Sequence, residues 1–130
     1  MSTVAMTPFQ QRLKSLMNQY VHYIYSLTRK FPKEELFGAG SQIRRAALSV
    51  ILNFIEGFTR LRFKVKSNAY EISYGSLHES SYLLEFARDE HWITHDECKH
   101  GLTMADEIGA MLWSEVQKVG DMSNRRAVVL

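Results

Sequence analysis

The sequence predicts an all-α protein, an antiparallel up-down-up-down four-helix bundle. Three observations predict it. Apolar residues recur at spacings of three and four through four separate segments. Helix-start and helix-stop residues fall between those segments. No two runs have the alternation of a strand pair. At 130 residues, 45% apolar and 23% charged, the chain is long enough for one real core. The bundle is assigned to residues 1–120 and a loose tail to residues 121–130.

The first helix starts at Thr7-Pro8, where threonine caps and proline suits the first helical position. Phe9, Leu13, Leu16, Tyr20, Ile24, Leu27 and Phe31 form its stripe, with Val21 and Tyr23 at the flank, and Pro32 ends it. Gly38 and Gly40 punctuate the turn into the second helix. That helix has one stripe of Ile43, Ala47, Val50, Phe54, Phe58 and Leu61, and a second of Leu48, Ile51, Leu52 and Ile55. A helix this apolar must be covered on several sides. Gly57 either lets a neighbouring helix approach closely or marks fraying near the helix end.

Residues 60–66, RLRFKVK, read as a loop or a helix extension, because no partner strand exists. Ser67 or Asn68 then caps the third helix, with Glu71 placed for a capping box. Its stripe is narrow and small: Ala69, Ile72, Ser76, Ser80, Leu83 and Ala87. Thr94 and Glu97 form the capping box of the fourth helix, which continues through Cys98, Leu102, Ala105, Ile108, Leu112, Val116 and Val119.

Residues 1–66 carry 11 Lys/Arg against 3 Asp/Glu, a net +8, whereas residues 67–118 carry 3 against 10, a net −7. Such halves either attract each other within one bundle or offer a basic face to a polyanion or acidic partner. The up-down topology gathers Arg12, Lys14, Arg60, Arg62, Lys64, Lys66 and Lys118 at one pole, with Arg125 and Arg126 leaving from the same end. That pole is a candidate nucleic-acid-binding surface, for RNA or DNA. Phe63 in its midst either stacks on an exposed base or packs inward. The opposite pole sets Lys30 and Lys33 against Asp89, Glu90, Asp96 and Glu97. Antiparallel pairing also brings Arg45 towards Glu79, an expected buried structural ion pair; the other reading leaves Arg44 and Arg45 open to solvent or ligand.

Other chemistry is poorly supported. His91, His95, Cys98 and His100 match no standard zinc spacing, so no metal site is assigned. The run GAGS at 38–41 lacks the lysine and spacing of a P-loop, and no nucleophilic set is arranged. We expect no catalytic residues, no cofactor and no enzyme. The longest apolar run, residues 46–55, falls short of the ~20 residues of a membrane span. The opening MSTVAMTPF lacks the features of a secretory signal, and a lone cysteine fits a reducing compartment. A cytoplasmic location without membrane contact is therefore expected.

FPKEE at 31–35, SQIRRAALSV at 41–50, NFIEGFTR at 53–60, GSLHE at 75–79 and DEIGAML at 106–112 together resemble a known family. It is the four-helix-bundle family named for proteins encoded within intervening sequences of bacterial 23S ribosomal RNA genes. The resemblance implies assembly into a ring, typically a homopentamer, and no catalytic residues. A related branch comprises the accessory proteins of diversity-generating retroelements, basic pentamers that bind a reverse transcriptase and nucleic acid. Many members have Pro-Ala after the Ser-Val pair; here Ile51 and Leu52 stand there, and the accessory branch tends to lack that proline too. The second stripe of Leu48, Ile51, Leu52 and Ile55 is the expected oligomer interface.

Overall fold

The computed structural model describes the backbone of residues 4–129, with side chains to residue 122 and that of residue 124. Four helices follow one another: α1 (Pro8–Thr28), α2 (Ala39–Thr59), α3 (Phe63–Asp89) and α4 (His95–Val129). A single 3-10 turn at Lys33–Glu35 lies between α1 and α2. Each helix packs on the next, and α4 closes back onto α1. This is the antiparallel four-helix bundle that the periodicity predicts. No helix among the described residues is long and apolar enough to cross a membrane.

Local chemistry explains the ends. Thr7 and Gln10 form a reciprocal capping box at the start of α1. Thr94 and Glu97 do the same for α4, at 2.9 and 3.0 Å. At α2 the cap comes from outside the helix: the Glu35 carboxylate accepts the Ala39 N–H at 3.1 Å. Glycine is required just beyond it, because a Cβ on Gly40 would lie 2.9 Å from the Glu35 carbonyl oxygen. The end of α3 closes with Trp92 N–H donating to Ala87 and His91 N–H to Arg88, both at 2.9 Å. That places His91 at φ 63°, the left-handed position glycine usually takes.

The core is a continuous apolar column. Leu13, Met17, Tyr20, Ile24, Ile43, Val50, Phe54, Tyr70, Leu77, Leu84, Ile108 and Leu112 are its largest buried members. Ala69, Ser80 and Ala87 of the α3 stripe are buried as expected, but the rest of the stripe is shifted. Tyr70, Ser73, Leu77 and Leu84 face inward, while Ile72 is 46% exposed and Leu83 only partly covered. Ser73 tolerates full burial because its hydroxyl donates to the Val50 carbonyl at 2.5 Å. On α1, Met17 and Val21 take core places, and Phe9 sits at the rim.

One boundary also differs from expectation. The third helix begins at Phe63, not at Ser67 or Asn68, and its N-cap residue Arg62 makes no side-chain cap bond. The turn between α2 and α3 is therefore very short. Lys66 compensates, as its ammonium donates to the Gly57 and Phe58 carbonyls at 2.7 and 2.9 Å and closes the end of α2. At the far end, the helical backbone continues through residues 121–129, the stretch assigned to a tail, since nothing there breaks a helix.

Candidate nucleic-acid interface

The start of α1, the α2–α3 turn and the late part of α4 meet at one pole of the bundle. Lys118 sits 5.2 Å from the Phe9 ring centre, linking α4 to α1. Glu115, only 4% exposed, accepts from the Gln10 amide at 3.3 Å and lies 3.7 Å from the Lys118 ammonium. Lys66 lies over the rings of Phe58 and Tyr70. Its partial burial lowers its pKa, against which the nearby Glu115 charge acts.

The seven basic residues assigned to this pole divide into two groups. Four are engaged within the chain. Arg12 pairs with Glu107 at 2.9 Å, Arg60 with Glu56 one helical turn back, Lys118 with Glu115, and Lys66 with the α2 carbonyls. The other three, Lys14, Arg62 and Lys64, are exposed and form no ion pair with any described residue. Arg62 and Lys64 flank the tight turn, with Leu61 91% and Val65 42% exposed beside them. The side chains of Arg125 and Arg126 lie outside the described residues.

Phe63 packs against the core, so of its two readings the inward one holds. Glu115 is the residue that sequence patterning misses. It falls one turn after Leu112 on the buried face of α4, and a carboxylate in that register signals an internal partner.

The expected buried Arg45–Glu79 pair is not present. Both side chains are exposed, and they line opposite sides of a shallow polar hollow with Ser41, Gln42, Ser49 and Ser76. The contact that sets the α2–α3 register there is neutral: the Ser49 and Ser76 hydroxyls lie 2.7 Å apart. Arg44 is held by α1, donating to Thr28 at 2.6 Å with its guanidinium 4.5 Å from the Tyr25 ring centre.

The expected interface stripe also splits. Leu48 and Ile51 pack on the bundle's own core and Ile55 is half-buried, whereas Leu52 is 58% exposed. At the opposite pole Lys30 pairs with Glu97, and this contact first, then the Thr94 N–H, holds the Glu97 carboxyl below its usual range. Cys98 turns inward, its thiol donating to the Leu84 carbonyl at 3.6 Å, and burial raises its pKa. Among the described residues no His, Cys, Asp and Glu side chains are grouped to hold a metal ion.

A small antiparallel bundle that presents a basic, partly apolar end is the class of protein these features define. The chain belongs to the 23S rRNA-intervening sequence protein family, whose profile matches residues 11–114. A solved structure of a protein with unknown function from the S23 ribosomal protein family of Bacteroides thetaiotaomicron is similar in fold. The TM-score is 0.77 at 21% identity, over 84% of this chain and 98% of that chain. No curated protein matches.

Proposed function

We propose that this chain is a non-enzymatic, ring-forming bundle of the cytoplasm that grips nucleic acid, or an enzyme working on nucleic acid, through its basic pole. The observation that carries the reading is the turn itself. Arg62 and Lys64 stand exposed and form no ion pair with a described residue, beside Leu61 and Val65. Cations without such a partner at an exposed turn are suited to phosphate contacts, and the flanking aliphatic groups to the sugar or base surface. A reverse transcriptase of a diversity-generating retroelement is the enzyme partner we favour. The ring, a homopentamer in this reading, closes through α2, where Leu52 remains exposed after the bundle has formed.

A second reading has a specific observation behind it. Arg12–Glu107 and Lys30–Glu97 join the basic half to the acidic half. The chain would then be a structural oligomer without affinity for nucleic acid, its charges spent on alignment. Binding to single-stranded RNA separates the two. Neutralising about four phosphates weakens binding on the order of a hundredfold between roughly 50 and 200 mM salt. The combined variant Arg60→Glu, Arg62→Glu, Lys64→Glu and Lys66→Glu should abolish binding. A milder pair, Arg62→Glu with Lys64→Glu, spares the Lys66 cap and should lose most of it with the oligomer unchanged in size. RNA affinity that survives the milder pair refutes the basic pole as the binding site.

A further inference from the structure

A groove of ≈ 500 Å³ runs between α3 and α4, sharing no residue with the basic pole. One end is aromatic. Trp113, 46% exposed, lies 5.2 Å from the Tyr74 ring, which lies 4.6 Å from His78. Ala105 and Gly109 line its α4 side with little side-chain bulk. The walls carry Glu85 and Asp106, both exposed, and neither forms an ion pair with a described residue. Arg88, one turn on from Glu85, pairs with Asp89 at 3.1 Å and also feels the Glu85 charge, without an ion pair to it.

We infer that this groove is a docking site for a basic amphipathic helix of a protein partner. The chemistry excludes a phosphate backbone, because two unpaired carboxylates repel one. It favours a lysine- or arginine-bearing segment whose cations meet Glu85 and Asp106 while an apolar side chain rests on Tyr74 and Trp113. From Tyr74 to Glu85 the groove spans about three helical turns, the length over which a helix lays its anchors into such a cleft.

Trp113 supplies its own readout. Trp92 is the one other tryptophan, packed between Phe31 and Phe86, so Trp92→Phe leaves Trp113 as the sole emitter. The probe is a helical peptide of about three turns with lysines beside a leucine stripe, compared with its glutamate counterpart. The lysine peptide should change Trp113 emission saturably, and Glu85→Lys with Asp106→Lys should weaken it roughly tenfold or more. Should Trp92→Phe fail to fold, calorimetry on the unaltered chain reads the same titration. Absence of saturable binding, or equal response to both peptides, overturns the inference. So does Trp113 emission that shifts with protein concentration alone, which would make a second copy the occupant.

Discussion

Tyr20 holds a polar atom at the centre of the bundle. The side chain is fully buried, and its hydroxyl lies 2.7 Å from that of Ser80, joining α1 to α3 across the diagonal. Burial pushes its pKa up to about 12 from an ordinary 10.0, and the Ser80 hydrogen bond offsets only part of that. Tyr70 moves in the same direction for the same reason. A folded pKa above the unfolded one means that the neutral phenol's contribution is fully present below pH 10. It is lost as pH rises through 12, up to about 2–3 kcal/mol. Tyr20→Phe should therefore flatten the loss of stability in that window, measured by denaturant unfolding on either side of pH 10. At neutral pH the cost should be only about 1 kcal/mol, since Ser80 still donates to the Leu77 carbonyl at 2.8 Å. An alkaline limb identical to the parent's would show that Tyr20 does not titrate with unfolding. Sequence periodicity places Tyr20 and Ser80 on inward stripes, and both are there. It cannot pair them, because the bond depends on how four helices turn about their axes.

The same limit shows more sharply at the scale of elements. Small residues on α3 and glycine on α2 predict a close seam, and the seam is close: a Cβ on Gly57 would lie 2.6 Å from the Tyr70 ring. Fraying is excluded, since Gly57 is buried. Gly57→Ala should lose stability on the order of 1–3 kcal/mol from overpacking, outweighing the ~1 kcal/mol of helix propensity gained. Gly75→Ala is the matched comparison, because nothing lies within 4 Å of its added Cβ. It should raise the denaturant midpoint where Gly57→Ala lowers it; midpoints that move together would refute the seam as the cause. Of the loop and helix-extension readings of residues 60–66, the extension holds from Phe63 onward. Capping chemistry at Ser67 and Asn68 is a local signal, whereas the helix begins earlier because Lys66 closes α2 and Phe63 packs on the core. On α3 the stripe holds at Ala69, Ser80 and Ala87, while Ile72 is exposed and Ser73 is buried in its stead.

For the molecule as a whole, chain order, helix number and pairing were legible because each amphipathic stripe needs a neighbour and short turns dictate which. The use of the charges was not, because pairing depends on side-chain reach across helices. Among the described residues two ion pairs bridge the basic and acidic halves, and both are solvent-accessible: the side chains are 66% and 47% exposed in Arg12–Glu107, and 55% and 22% in Lys30–Glu97. Exposed pairs of this kind contribute about 0–1 kcal/mol each and weaken with salt. Holding the bundle together therefore uses little of the charge separation, and most of it remains to act on other molecules. Raising salt from roughly 50 to 200 mM should change unfolding free energy by no more than about 1 kcal/mol, a shift of a few degrees in melting temperature. RNA affinity over the same range should fall on the order of a hundredfold. Thermal melts and RNA titrations in identical buffers compare the two directly. A bundle that melts far earlier in salt, with RNA affinity unmoved, would assign the charge asymmetry to folding and remove the physical basis for the basic pole as a phosphate surface.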